Sequence, residues 1–485
     1  MRSFTMTRPI SYQLTKQGQV NFPGLTASSK KLTEALVKKD SDEHHCYYRP
    51  SGIHNHTIHH ILAAYDLGAK PALLQKIFNQ DAPVQRPIIL EEQDKGIVVD
   101  GSNWKRHVGT THHDYNALYN FFSKQIAEHG ISETLSSYVF DQNANKGGTL
   151  MLLRVFSGLL HPLIQIGYGL EFGHEAIIAT GLAQAATGTF IQGSIPTFDT
   201  TAPEKTISLL ELLRRVSESD ILKPPPFNPD TLISKRFELA YANGGIEELQ
   251  RLCSLYHISD TITDDELDKK IDEIFWVATL LLSATGKKGR KPRLDFFFMH
   301  FVTSSILIRP WFGYLKKQEH KAAFFRIYVF TMMALTLARG RPKIDISLAM
   351  SYPAVVRQPM QSNEHIKPSE DALGSPFNDD DFNPWPELIQ GALYHPECHV
   401  VKTIRSLAYY AKNLGTTSPG DIPGAWRDAD SQVETFPGVG QLDGTIFVRA
   451  AGLVLNTLGW CAHGQKQGKW DYSALGWDEA WDNED

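Results

Sequence analysis

Cysteine is scarce in this chain: Cys46, Cys253, Cys398 and Cys461 are scattered through 485 residues and form no CxxC pair. Their spacing argues against a disulfide framework and against a thiolate zinc site. No basic block offsets the formal net charge of −6, so there is no electrostatic footprint for nucleic acid. Long apolar runs are missing as well. The most apolar stretches, 274–282 and 327–338, fall short of the ~20 residues a membrane-spanning helix requires and are expected to be buried core helices. The N-terminal MRSFTMTRPISYQL lacks the apolar segment of a secretory signal. A cytoplasmic protein without membrane insertion is the expectation. Common signatures are absent too: there is no GxxxxGK(S/T), no GxSxG and no HExxH. Gly438-Val439-Gly440 lies in a proline-containing loop rather than at a strand end, so no dinucleotide fingerprint is legible.

What is present is helical periodicity. Ile58, Ile61, Leu62, Tyr65 and Ala69 recur at three- and four-residue spacing, and Gly68 stands where a helix could stop. Similar patterns cover 114–129, 150–170, 175–186, 207–217, 264–284, 294–308, 321–339, 397–414 and 444–458. Strand-like alternation is confined to 88–99, with a turn at Asp94-Lys95-Gly96. Loops are expected at 189–205, at Pro224-Pro225-Pro226 and over 358–390. The last holds five prolines and Asp379-Asp380-Asp381. The expectation is an all-α protein with at most a minor hairpin. Residues 1–40 would be an irregular lead-in, residues 41–485 one helical domain, and the acidic tail 477–485 frayed. No internal repeat is visible, and nothing reports an oligomeric state.

The chain is unusual in its nineteen histidines, several in apolar surroundings. Four segments stand out: His54-Asn55-His56-Thr57-Ile58-His59-His60; His161-Pro162-Leu163-Ile164; Met299-His300-Phe301-Val302-Thr303; and His395-Pro396-Glu397-Cys398-His399-Val400-Val401-Lys402. One histidine in an apolar stretch is ordinarily a core residue with its ring nitrogens bonded. Four such segments on separate helices fit a metal that gathers neutral imidazoles. Pro396 can occupy a first helical turn, so a helix is expected to start there and run to about Leu414. His399 and Lys402 are three residues apart, about 60° around that helix, and project to one side with Ser406 and Tyr409. A solvated lysine would need no explanation. A buried one becomes a neutral amine that can take up carbon dioxide as a carbamate, an anionic oxygen ligand.

Three metal boxes compete on these residues. His56-Thr57-Ile58-His59-His60 matches the HxxHH of membrane desaturases, which need several transmembrane spans that this chain lacks. His54-Asn55-His56 with a carbamylated lysine resembles the amidohydrolase arrangement, a metallohydrolase alternative. In that family, however, the lysine comes before the later histidines, and a barrel of parallel strands carries the site. His395-Pro396-Glu397 with a distant histidine fits a two-histidine, one-carboxylate iron site by spacing, although a helix replaces the usual strand. A non-catalytic helical scaffold with structural histidines is the remaining alternative.

Taken together and in order, the four segments resemble the questin oxidase-like family, from about residue 50 to about residue 460. That family includes fungal enzymes that open anthraquinone-type rings with a Baeyer–Villiger-type outcome. Leu67-Gly68-Ala69 and Gly167-Tyr168 add to the likeness. The resemblance implies an all-helical, mono- or dioxygenase-type enzyme of secondary metabolism with a mononuclear non-heme Fe(II). Its ligands would be His56, His161, His300, His399 and a carboxylated Lys402, leaving one open position on an octahedral metal. The partners implied are an aromatic polyketide and O2. No nicotinamide motif is legible, yet members are described as monooxygenases, which leaves consumption of NADPH open. By position, Tyr168, Phe298 and Tyr409 are candidates for contact with an aromatic substrate. His54, His59 and His60 become lining around the metal. Glu171 and Glu397 stand as acceptors that orient ligand imidazoles.

Overall fold

The computed structural model describes residues 9–49, 52–188, 196–199, 201, 203–359, 368–375, 379–380, 382–427 and 432–482. Among the described residues, nineteen α-helices pack around a large apolar core, with a small second cluster at Leu475, Ala480 and Trp481, and there is no strand, only four isolated bridges. The expected all-α class is therefore the observed one. Most periodic segments became helices within a few residues of their expected ends, among them Thr57–Asp66, Glu175–Thr187, Asp264–Ser283 and Ile446–Leu458. Runs that are apolar on every side form helices whose every face is covered. Gln318–Ala338 is long and apolar enough to cross a membrane, but 83% of its most apolar window is buried against the rest of the chain.

Four expectations need correction. The lead-in is not irregular throughout, because a helix spans Ala27–Glu43. Thr26 caps it by accepting from Ser29 N, and its buried face is Ser29, Thr33, Leu36, Val37 and Asp40. That stripe has helical spacing, but small polar side chains fill half of it, which hid it from a search for apolar periodicity. The 88–99 segment forms no hairpin. Glu91 and Asp94 cap one another's backbone and wind Glu92–Gly96 into a 3-10 turn instead. In the long loop, a helix spanning Trp385–Leu393 takes over the end of the 358–390 stretch, with Pro386 in its first turn. Residues 360–367, 376–378 and 381 of that stretch, and 189–195, 200 and 202 of the earlier loop, lie outside the described residues. The tail is docked rather than frayed as far as Asp482. Trp481 is buried, donates from Nε1 to Leu475 O at 3.1 Å, and neighbours Ala480, whose carbonyl accepts from Arg293.

Four helices position the site. Thr57–Asp66 packs on Cys398–Leu414, which packs on Phe296–Ser305. That helix packs on Ser157–Phe172, which returns to Thr57–Asp66 and closes the cycle. Three of the four are pinned by one buried ion cluster. Arg405 Nε donates to Asp66 Oδ2 at 2.8 Å, and Arg405 Nη2 donates to Glu171 Oε1. All three side chains are almost wholly buried. The lead-in seals this cluster: Val20 N and Asn21 N donate to Asp66, and Gln19 N donates to Glu171. The fourth helix is tied on by Tyr410, whose hydroxyl donates to Val302 O and meets Ser305 Oγ, each at 2.5 Å.

Candidate metal centre

Each candidate ligand is set by local backbone chemistry. His56 stands at the start of the Thr57–Asp66 helix, where Asn55 does the capping: Asn55 Oδ1 accepts from Thr57 N at 2.9 Å. The Asn55 amide also donates to both oxygens of Asp40, so the imidazole of His56 is left free to point inward. His161 is delivered by a strained turn. Residues 158–160 are all left-handed, with φ of 52°, 55° and 66°, and Pro162 then starts the right-handed run. Left-handed leucines cost about 1–2 kcal/mol each, and such strain collects at functional sites. Gly158 has no substitute there, since a Cβ would lie 2.6 Å from His54 Cε1. His300 lies in the Phe296–Ser305 helix. Asp295 caps that helix through Phe297 N and Phe298 N, and Arg339 holds Asp295 with Nε at 2.9 Å. The last helix begins at Cys398, two residues after Pro396, because Glu397 caps it by accepting from His399 N. His399 and Lys402 both project inward from its first turns.

The four imidazoles and Lys402 converge. His161, His300 and His399 are buried and offer nitrogens that all lie within 4.8 Å of one another. His56 Nε2 is 2.8 Å from His161 Nε2, and its ring lies 4.7 Å from that of His399. Two imidazoles bound side by side at about 2.1 Å would hold their nitrogens about 3 Å apart. The outward nitrogens are already engaged. His161 Nδ1 donates to Gly158 O at 2.5 Å, His300 Nδ1 to Phe296 O at 2.9 Å and His399 Nδ1 to Glu397 Oε1 at 2.6 Å. These bonds fix the tautomers and turn the lone pairs of Nε2 inward, the usual arrangement behind a metal-binding histidine. His300 Nε2, His399 Nε2 and Lys402 Nζ are buried polar atoms with no hydrogen-bond partner. Buried polar atoms left without partners are expensive unless something occupies the space beside them. The donor set therefore fits a metal ion.

The electrostatics agree. Burial pushes the imidazoles of His56, His161, His300 and His399 below their usual range, and the neighbouring Lys402 and other histidines add to it. All four are neutral and able to bind metal. Burial also lowers Lys402, against the opposing pull of Cys398, Glu397 and Asp81. Burial would raise the Glu397 carboxyl, but His399 and Trp470 outweigh it and hold the group well below the ordinary carboxylate range.

The remaining candidates fall on different sides. His54 presents its face rather than a nitrogen, stacked on His161 at 4.1 Å and 6°. His59 stacks on Tyr168 at 5.2 Å and meets His56 edge-on at 5.8 Å. His60 turns away and bonds Asp81 through Nδ1 at 2.9 Å. Glu171 orients no ligand histidine, since its bonds go to Gln19 and Arg405. Tyr168, Phe298 and Tyr409 are buried in the core. Among the rival boxes, His395 is spoken for: its Nε2 donates to Leu458 O and its Nδ1 accepts from Glu397 N. Cys398 is not among the candidate ligands, yet its sulfur belongs to a second close cluster with His56 and His399. Its place directly before His399 was the available signal. Trp470, which donates to Glu397 Oε2 at 2.6 Å, lies 73 residues away and left none.

A protein-family model described as questin oxidase-like matches residues 53–407, a span that contains all five candidate ligands. The chain belongs to the questin oxidase-like family. It is 30% identical over 305 residues to a Baeyer-Villiger oxidase of Pestalotiopsis microspora, covering 60% of this chain and 67% of that protein. It is 26% identical over 498 aligned positions to a Baeyer-Villiger monooxygenase of Aspergillus aculeatus, covering 96% and 92%. A questin oxidase of Aspergillus fumigatus is 27% identical over 343 residues, covering 66% and 76%.

In this questin oxidase-like chain the Trp470–Glu397–His399 relay makes a separate prediction. Glu397→Gln removes the charge that holds the Nδ1 proton of His399 while keeping the shape. Affinity for added Fe(II), measured by competition with a chelator, should fall about 10- to 100-fold. An unchanged affinity would mean that the carboxylate only caps the helix.

Proposed function

We propose that this chain is an iron-dependent oxygenase that opens the central ring of an anthraquinone-type polyketide in fungal secondary metabolism. The observation that carries this reading is the convergence of buried, unpartnered His300 Nε2, His399 Nε2 and Lys402 Nζ with His56 and His161. His56, His161, His300 and His399 would hold Fe(II), with Lys402 as the fifth ligand after carboxylation. The lysine amine attacks carbon dioxide, a C–N bond forms, one proton leaves, and the product is an anionic carbamate. Iron in such a nitrogen and oxygen environment supplies activation of O2. The chain's own residues do the rest. The buried histidines exclude water and stay neutral, and Glu397 keeps the Nδ1 proton of His399 in place.

Insertion of one oxygen atom beside a quinone carbonyl gives a ring-expanded ester, and its hydrolysis by one water opens the ring to a carboxylic acid and a phenol. The second oxygen atom leaves as water if two electrons and two protons come from a reductant such as NADPH. It enters the product if both atoms are retained. The names of the relatives, oxidases and monooxygenases of the Baeyer-Villiger type, support this class of outcome.

Metal analysis of aerobically purified protein is the deciding test. Near-stoichiometric iron and O2-dependent consumption of an anthraquinone are expected. Traces of iron only, with no activity restored by Fe(II), would overturn the proposal. Turnover that persists without oxygen would favour the metallohydrolase alternative.

A further inference from the structure

The histidine cluster is closed on most sides and open on one. His56, Glu397 and Cys398 are only half-buried, whereas His161, His300 and Lys402 are sealed. The aromatic rings divide in the same way. Tyr168 and Phe298 have no reachable face, at 1% and 0% exposure. Phe296, on the open side, is half-buried and sits edge-on to two candidate ligands, with ring centroids 4.8 Å from His300 and 5.1 Å from His399. Stacked on Phe296 at 4.5 Å and 29° is Tyr472, which is 58% exposed.

An exposed tyrosine is ordinarily a mobile surface group. This one is carried on a backbone fixed at every neighbouring position. Asp471 N donates to Leu294 O and Asp471 O accepts from Phe296 N, both at 2.8 Å. Tyr472 O accepts from Arg339 Nη1 at 3.2 Å, and the Trp470 indole is tied to Glu397. The backbone that carries the ring is therefore tied to the start of the helix that carries His300. Burial, then Glu397, Cys398 and Tyr48, push the Tyr472 hydroxyl up to about 12, so it stays neutral with both donor and acceptor capacity.

We propose that Phe296 and Tyr472 form a stacking platform at the mouth of the histidine site, on which a planar polycyclic phenol lies before it reacts. A flat, apolar, hydroxylated ring system matches it on two counts. It can stack offset on the face of Tyr472 that Phe296 leaves uncovered, and it can exchange a hydrogen bond with the neutral phenol. Because the platform is already ordered in the free protein, binding loses little side-chain entropy. The inference rests on the anthraquinone reading of the site and names the residues that would select for it.

The test is an anaerobic titration of the full iron-loaded chain with 1,8-dihydroxyanthraquinone, followed by quenching of tryptophan fluorescence. Tyr472→Ala should weaken binding about tenfold, the loss of one good aromatic contact. Tyr472→Leu, which keeps apolar bulk without a π-face, should also weaken it, and Tyr472→Phe should bind within a few-fold of the parent. Iron content and melting temperature should not move, and in turnover KM should rise while kcat holds. Equal binding by parent and alanine variant would overturn the platform and leave the substrate class intact. No binding by the parent would overturn the substrate class and the platform together. Loss of iron in both the alanine and leucine variants would make Tyr472 a wall of the metal site rather than a platform.

Discussion

Replacing Lys402 by alanine is expected to abolish ring-opening turnover, with part of it returning on addition of formate or acetate. Lys402 is 1% exposed, and its amine has no hydrogen-bond partner. An unpaired ammonium so deep in the protein would carry a desolvation penalty of several kcal/mol. The lysine therefore belongs in a neutral or carboxylated form. It lies one helical step after His399 on the buried side of the same helix, within electrostatic reach of His54, His56, His59, His161, His300 and His399. Truncation opens a space where a small carboxylate can supply the missing oxygen donor, and this is the basis for rescue. A second readout needs no substitution. Prolonged dialysis against CO2-depleted buffer should release iron, and bicarbonate should restore its binding. Undiminished turnover in Lys402→Ala would remove the lysine from the site.

The second large effect is on stability. Arg405→Leu leaves Asp66 and Glu171 buried with no cation between them, and breaking such a pair typically costs about 3–5 kcal/mol. A marked fall in the melting temperature is expected. The iron content of whatever folds should fall with it, because the cluster joins three of the four helices that carry the candidate ligands. Adding Asp66→Asn and Glu171→Gln to Arg405→Leu should recover part of the loss, as neutral amides tolerate burial better than stranded carboxylates. A melt indistinguishable from the parent would show that the cluster holds nothing in place.

These two residues mark different degrees of legibility. Lys402 was visible because it follows His399 by one helical step in a segment with its own starting signal. Helix phase is a local property, so the side of the helix could be read directly. Arg405, one step further along the same helix, carries no such local signal. Its two partners lie 339 and 234 residues away, and no local pattern encodes a pairing at that separation. The same limit explains the aromatic candidates. Tyr168 and Tyr409 project from the correct helices, but their surroundings depend on what packs against them. Tyr168 is enclosed between His59 and Arg405, and Tyr409 packs against Phe275. The rings on the open side, Phe296 and Tyr472, include one from a tail that the sequence suggested would fray.

His54-Asn55-His56-Thr57-Ile58-His59-His60 shows where a local signal misleads. Its density suggests a complete metal box. In the structure one member, His56, meets another candidate ligand nitrogen to nitrogen, with Nε2 2.8 Å from His161 Nε2. His54 offers a ring face, His59 stacks on Tyr168 and His60 bonds Asp81. Consecutive residues on a helix are 100° apart, so the histidines of one turn cannot all reach one point.

The choice of His56, His161, His300, His399 and Lys402 as candidate ligands is what the family resemblance implied, whereas the all-helical class and the helix phases were determined by the sequence by itself. That class and those phases follow from apolar periodicity and capping chemistry, which act within a few residues. Only the tertiary structure decided that four helices close into a cycle, that Nε2 rather than Nδ1 faces inward, and that the cluster opens beside Phe296 and Tyr472. Those outcomes depend on hydrogen bonds and ion pairs between residues up to several hundred positions apart, which become defined only once the core has packed.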